Sequence, residues 1–300
     1  MFIRLRAVHR RLPRLALASV LILAVTAAGV LTGRPSEAAP SSRCSTFQGL
    51  FSTTTSCPNI ETTLWTGALG LTPRDVHYQT PLGTPPAGGW PAVVVWSPSF
   101  WGAEVSWTAN SLFPAGAWYD TLQYKALLDN GYAVITPESH LEGFTFWDTN
   151  NPLTPWATAP DRYFTDSILR ELGRGRFGPI NTNRLFTTGM SSGGYMTSRM
   201  AIAYPGVFKA VAVQSGSYAD CLGPFCSVPA TLPSTHAPTL FLHGTADAVV
   251  PLNTMTPYRD RLQAQGIATR TVLKTGAGHE FLPQSPTEVL NWFRLYDPGH

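Results

Sequence analysis

The sequence predicts an α/β fold built on a mostly parallel central sheet with helices on both faces. Three observations carry that expectation. Runs such as residues 91–96 (P-A-V-V-V-W) and 132–136 (Y-A-V-I-T) are apolar along nearly their whole length rather than at alternate positions. That is the pattern of strands buried on both sides. Helical segments separate several of these runs, which implies βαβ units and parallel neighbours. No internal repeat and no interdomain linker interrupts the alternation.

Taken in order, residues 41–63 are polar and rich in Ser and Thr, and read as a surface arm. A short β-like run at 76–79 precedes a Pro/Gly loop over 81–89. The strand at 91–96 ends at Ser97-Pro98. Residues 118–129 read as a helix with Leu122, Leu127 and Leu128 turned to the core, stopped by Asn130-Gly131. The strand at 132–136 ends at Pro137 and opens a long aromatic loop to Pro160 containing Phe144, Phe146, Trp147 and Trp156. Asp161 is placed to cap a helix running to about Leu172. A strand before Gly189 leads into a helix over 197–204. Further strands are expected at 208–214, 239–243 and 269–274. A closing helix over 287–296 presents Leu290, Trp292 and Phe293.

The first residues stand apart from this pattern. Arg4, Arg6, Arg10, Arg11 and Arg14 precede an apolar stretch over 15–31, and small residues follow at Ser36-Glu37-Ala38-Ala39. This is the layout of a secretory signal peptide, with cleavage expected after Ala38 or Ala39. The apolar stretch is shorter than the ~20 residues that span a bilayer, so no stable membrane anchor is expected after cleavage. Residues 1–39 are therefore assigned to the leader and 40–300 to a single domain, expected to be monomeric. The formal charge of +3 belongs to the leader. Without its six arginines and Glu37, 15 of 21 basic and 17 of 18 acidic residues remain, a balance of −2 that gives no reason to expect nucleic acid.

All four cysteines, Cys44, Cys57, Cys221 and Cys226, lie beyond the leader. In an exported chain an even count favours two disulfides. Sequence neighbours suggest Cys44–Cys57 and Cys221–Cys226, one of three possible connectivities. No C-x-x-C occurs and no histidine stands at ligand spacing from either pair, so no metal site is expected.

The chemistry centres on Gly189-Met190-Ser191-Ser192-Gly193, a G-x-S-x-G between a strand and a helix. Such a turn holds a serine hydroxyl clear of the sheet as a nucleophile. A serine nucleophile needs a base, and the base an orienting carboxylate, from loops at the carboxyl ends of later strands. H-G-T-A-D-A-V-V-P (243–251) supplies Asp247, and T-G-A-G-H (275–279) supplies His279. Glu280 is the alternative carboxylate. The order Ser191, Asp247, His279 is that of α/β-hydrolases.

The two loops look like the acid and histidine loops of α/β-hydrolases. More narrowly, residues 189–208 (G-M-S-S-G-G-Y-M-T-S-R-M-A-I-A-Y-P-G-V-F), the F-W-D-T-N-N-P stretch at 146–152 and the spacings between the three site residues resemble extracellular medium-chain-length polyhydroxyalkanoate depolymerases. The resemblance covers most of the chain after the leader. It implies a secreted serine hydrolase that cleaves an insoluble aliphatic polyester through an acyl-enzyme, without metal or organic cofactor. Ser192 would offer one oxyanion donor through its backbone N–H. S-P-S-F at 97–100 is similar to the S-P-G-[FY] loop of secreted cutinase-like polyester hydrolases and implies the Phe100 N–H as the second donor, with Ser99 as the alternative. Trp101, Trp147 and Trp156 are the candidate substrate-binding aromatics. With no separate binding domain after His279, adsorption on polymer is expected from the catalytic domain itself. A broader polyester hydrolase or cutinase-like carboxylesterase acting on polylactide or soluble esters, a peptidase on the same fold, and a non-catalytic secreted binding protein are the competing readings.

Overall fold

The computed structural model describes residues 39–140, 145–150, 154–221 and 227–299. Its centre is an eight-stranded sheet. In chain order the strands are β3 (Ile60–Thr66), β4 (Thr72–Gln79), β5 (Trp90–Trp96), β7 (Ala133–Pro137), β8 (Ile180–Met190), β9 (Phe208–Gln214), β10 (Thr239–Gly244) and β11 (Thr269–Lys274). Across the sheet they run β11-β10-β9-β8-β5-β7-β4-β3. All neighbours from β11 to β7 are parallel, while β4 is antiparallel to both β7 and β3. The predicted mostly parallel sheet is therefore observed.

Among the described residues five α-helices pack around it: α1 (Ala117–Asp129), α2 (Pro160–Gly173), α3 (Ser192–Ala203), α4 (Leu252–Ala264) and α5 (Ser285–Leu295). Every residue of β5 is buried, and its side chains alternate between two apolar layers. Val93 and Val95 pack with Leu127 and Leu128 of α1 and Trp292 and Phe293 of α5. Ala92, Val94 and Trp96 pack with Phe164 and Ile168 of α2 and Met196 and Met200 of α3. This two-sided cover is why the strand reads as apolar throughout. From β5 the chain crosses to β7 on one side and returns to β8 on the other. The sheet thus changes direction between β5 and β8, where α/β sheets form ligand crevices at the strand carboxyl ends.

Four local expectations are corrected. The polar arm is not irregular: β1 (Ser45–Gln48), β2 (Thr53–Ser56) and β6 (Thr108–Asn110) form a small antiparallel sheet, and residues 60–63 already belong to β3. Asp161 does not cap α2, which starts after Ala159 with Pro160 at its first position. Its carboxylate is instead buried against Arg74 at 3.0 Å. α3 begins at Ser192 rather than Thr197, because Gly193 and Gly194 are wound into its first turn. α4, a helix not expected from the sequence, carries Pro257 within it, and its Met255, Tyr258 and Leu262 belong to a third apolar cluster. Within α1, Leu122 is only half-buried and Tyr124 joins Leu127 and Leu128 in the core.

The Cys44–Cys57 disulfide closes the base of the β1–β2 hairpin, and the Cys57 N–H donates to Trp107 O at 2.7 Å. The expected partner of Cys221, Cys226, lies outside the described residues, as do Phe144 and residues 1–38 of the leader. A bridge spanning 13 residues restricts the unfolded chain by about 3 kcal/mol. Replacing Cys44 and Cys57 together by alanine is expected to lower stability by roughly that amount in guanidinium unfolding. The double variant should still be folded at 25 °C.

Candidate active site

β8 ends at Met190 and α3 begins at Ser192, so Ser191 alone makes the turn. It does so at φ 56°, ψ −122°, a conformation unusual for a residue with a side chain. Such strain costs of order 1–3 kcal/mol and persists only when the surroundings fix it. The Ser191 N–H donates to Gln214 O at 3.0 Å, and Ser191 O accepts the Tyr195 N–H at 3.0 Å. The glycines set how closely the strands and helix approach. A Cβ on Gly193 would lie 1.9 Å from Trp96 O, and one on Gly189 would lie 2.5 Å from Gly193 O. Neither neighbour can yield, because both are backbone. The G-x-S-x-G spacing is thus imposed by α3 pressing its first turn onto the end of β5.

The loops after β10 and β11 are joined by backbone. The Ala246 N–H donates to Ala277 O at 2.9 Å, the Thr245 N–H to Lys274 O at 3.1 Å, and the Gly276 N–H to Thr245 Oγ1 at 2.9 Å. This brings His279 Nδ1 to 2.8 Å from Asp247 Oδ2. The other carboxylate oxygen of Asp247 accepts the Val249 and Val250 N–H groups at 2.9 and 2.8 Å. Burial alone would raise the Asp247 carboxyl. The His279 hydrogen bond, the Val250 N–H and the electrostatic influence of the nearby His279 and His243 rings outweigh it, holding Asp247 below the ordinary aspartate value of 3.8. An ionised carboxylate only accepts, so His279 carries its proton on Nδ1 and leaves Nε2 as a base. His243 is kept neutral chiefly by burial, and its Nε2 is 2.8 Å from Val250 O. The alternative carboxylate, Glu280, faces Lys274 at 3.7 Å.

Ser191 and His279 line one cleft of about 330 Å³, together with Phe100, Trp101, Met190 and Val249. Its rim is apolar: Phe100 is 72% and Val249 63% exposed. Phe100 sits at φ 67° at the turn of the loop after β5, and Trp101 stands edge-on to Phe113 at 5.8 Å. Ser192 opens α3, and a helix N-terminus directs backbone N–H groups and a positive dipole end outward. Of the three tryptophans expected on substrate, only Trp101 lines the cleft. Trp147 is fully buried, with its indole N–H on Ser97 O at 2.9 Å. Trp156 is half-buried, edge-on to Tyr204 at 6.5 Å and below Arg199, and is not part of the cleft wall. Sequence reasoning missed Val249 and Met190. Their signal was position alone, two residues after Asp247 and one before Ser191.

Among the described residues one group of three potential metal ligands lies close together: His140, Asp148 and Asp161. The Arg74 guanidinium occupies its charge, 3.0 Å from Asp161. Asp148 and Asp161 also accept each other's backbone N–H at 2.6 and 2.9 Å.

With this geometry in place, residues 79–294 match the model of the dienelactone hydrolase family. The chain belongs to the dienelactone hydrolase family. Over 243 residues it is 47% identical to a poly(3-hydroxyoctanoate) depolymerase of Pseudomonas fluorescens, covering 80% of this chain and 86% of that protein. Over 110 residues it is 34% identical to acetylxylan esterase A of Talaromyces purpureogenus, covering 36% of this chain and 28% of that one. A Klebsiella pneumoniae protein described as a dienelactone hydrolase shares the fold at a TM-score of 0.54 and 20% identity, covering 80% of this chain and all of that one. The resemblance read from residues 189–208 therefore holds over most of the chain, and this dienelactone hydrolase family member is a carboxylic ester hydrolase.

The Asp247 geometry has a pH consequence. A carboxyl depressed in the folded state contributes stability that is complete above its unfolded value and is lost as pH falls through its folded value. Stability should decline as pH drops below 3.8, and Asp247→Asn should flatten that decline. Urea unfolding between pH 5 and pH 2 checks both.

Proposed function

We propose that the protein is a secreted serine esterase that depolymerises medium-chain-length polyhydroxyalkanoate through an acyl-enzyme on Ser191. The observation that carries this reading is the 2.8 Å contact between His279 Nδ1 and Asp247, on the same cleft as a serine held at positive φ. His279 Nε2 takes the Ser191 proton as Oγ attacks the ester carbonyl. Asp247 holds the imidazole tautomer and favours its cationic form. The proton then passes to the leaving alkoxide, and water repeats the attack on the acyl-enzyme. The backbone N–H groups of Ser192 and Phe100 receive the oxyanion at each tetrahedral stage, an interaction whose loss typically costs ~3 kcal/mol. None of these steps calls on a metal or an organic cofactor.

The polymer assignment has its own support. A relative 47% identical is named for poly(3-hydroxyoctanoate), an apolar solid. The cleft is rimmed by exposed Phe100 and Val249, and Leu112 nearby in the chain is 70% exposed. An exposed apolar rim of this kind suits adsorption to an apolar surface. Secretion rests on the leader over 1–39, and the Cys44–Cys57 disulfide fits an oxidising compartment. No helix among the described residues is long and apolar enough to cross a membrane. We read residues 40–300 as one catalytic domain acting as a monomer. The partial match to acetylxylan esterase A keeps a broader carboxylesterase as the second reading.

Films of poly(3-hydroxyoctanoate), poly(3-hydroxybutyrate) and polylactide should distinguish the two. Clearing and hydroxyoctanoate products from the first film alone are expected, and Ser191→Ala should abolish them. Equal release from all three films would favour the broader esterase. Hydrolysis of p-nitrophenyl octanoate undiminished by Ser191→Ala would remove the acyl-enzyme mechanism.

A further inference from the structure

We infer that Trp147 is a positioning residue for the hydrolytic site, tying together the two loops that present the oxyanion donors. The inference rests on the Ser191 mechanism proposed above. Trp147 lies in the aromatic loop after β7, next to Phe146, which is 48% exposed, yet it is itself wholly buried. Its two N–H groups go to the two loops beside the nucleophile. The backbone N–H donates to Ser192 Oγ at 2.9 Å, and the indole Nε1–H donates to Ser97 O at 2.9 Å. Ser192 begins α3, and Ser97 begins the loop that turns at Phe100. One residue thus bridges the Ser192 and Phe100 donors, although it lies 45 and 50 positions from its partners.

Ser97 O is held from both sides. A Cβ on Gly193 would come within 2.8 Å of it, so the first turn of α3 already abuts this carbonyl. The indole N–H fixes the direction of that carbonyl, and with it the plane of the Ser97–Pro98 peptide. Pro98 has little freedom of its own, so the orientation passes to Ser99 and Phe100.

Trp147 is in turn immobilised. Its ring stands edge-on to Trp96 at 5.0 Å, and Trp96 donates its own indole N–H to Thr187 Oγ1 at 2.8 Å. The Arg74 guanidinium lies 5.9 Å from the Trp147 ring centre. The next residue, Asp148, pairs with Asp161 at the start of α2, each backbone N–H donating to the other's carboxylate, and Arg74 and His140 close that cluster. The His140–Asp148–Asp161–Arg74 group therefore works as a clasp for the Trp147 loop. A residue needed only for volume could be any large apolar side chain; this position also uses the indole N–H, a donor no such side chain offers.

Misplacing a donor by a fraction of an ångström weakens transition-state binding more than ground-state binding. Trp147→Phe keeps an aromatic ring against Trp96 and removes the indole N–H. It should lower kcat on p-nitrophenyl octanoate by tenfold to about a hundredfold with KM within about twofold. The same variant should lose affinity for a trifluoromethyl alkyl ketone by a similar factor. That probe adds Ser191 Oγ across its carbonyl: the O–C bond forms, the hydroxyl proton moves to His279, and the carbonyl oxygen becomes the bound oxyanion. Ser192→Ala removes the acceptor of the Trp147 backbone N–H but keeps its own N–H donor, and should show the same paired loss to a smaller degree. It serves as the readout if Trp147→Phe does not fold, as judged by its melting curve. The proposal is overturned if a folded Trp147→Phe, or Ser192→Ala in its place, keeps kcat within twofold, or loses kcat while ketone affinity stays unchanged. Ser191→Ala is run alongside: activity surviving there would condemn the serine mechanism rather than the brace.

Discussion

Everything in the site depends on how closely the first turn of α3 lies against the end of β5. A hypothetical Cβ at Gly193 falls 1.9 Å from Trp96 O, a distance no side chain can occupy. Because the helix starts so near the sheet, the chain has one residue in which to turn from β8, and that residue takes φ 56°. The strain and the contact belong to one arrangement: relaxing Ser191 would lift α3 from β5 and part Ser192 from the Ser97–Phe100 loop. The cost of the strained residue is met by the parallel pairing of β8 with β5 and β9 and by Met196 and Met200, which pack α3 against Val94 and Trp96 of β5. A serine held this way needs no flexible positioning of its own.

The Asp247–His279 pair is positioned by a different device. Asp247 and His279 sit on separate loops, and neither loop has a strand or helix to stiffen it. Backbone hydrogen bonds between Thr245, Ala246, Lys274 and Ala277 make the two loops one rigid piece, with Gly244 allowing the approach. Asp247 then spends one oxygen on two backbone N–H groups and the other on His279. Its charge is fixed in direction before any substrate arrives, which is what preorganised electrostatic stabilisation requires. His243, one strand-end back, shows the contrast: the same residue type, buried and bonded to Val250 O, is held toward its neutral form and reaches Asp247 only at 3.5 Å.

These two devices explain what was legible in the chain. Strands buried on both faces must be apolar throughout, so β5 and β7 could be read directly. Gly189, Ser191 and Gly193 are forced by backbone contact, so their spacing survives as a motif. Asp247 and His279 follow strands that could be read, and their order in the chain did the rest. What could not be read depends on partners far away. Local capping rules point to Asp161 as an N-cap, but Arg74, 87 positions distant, draws its carboxylate inward. Gly193 and Gly194 are poor helix formers by propensity, yet packing winds them into α3. The Thr/Ser hairpin of β1 and β2 is polar because little of it is buried, so its strand pairing left no apolar signature. Trp147 failed for the same reason as Asp161: an aromatic residue in a loop looks available to substrate until Ser97, Ser192 and Trp96 are known to surround it.

The reassignment of Trp147 separates two jobs that sequence reasoning had merged. An enzyme that works at the surface of an apolar solid has conflicting needs at its cleft. The rim must be exposed and apolar to meet the polymer, whereas the oxyanion donors must stay rigid while that surface presses on them. Phe100 stands at the boundary, since its ring is 72% exposed while the mechanism proposed above draws on its N–H. A side chain pushed by a moving polymer would drag its own backbone with it unless the loop were held from behind. On the brace proposed above, Trp147, buried and anchored through Asp148 to α2, supplies that backing. Trp147 then serves the cleft from the inside, while Phe100, Trp101 and Val249 line it.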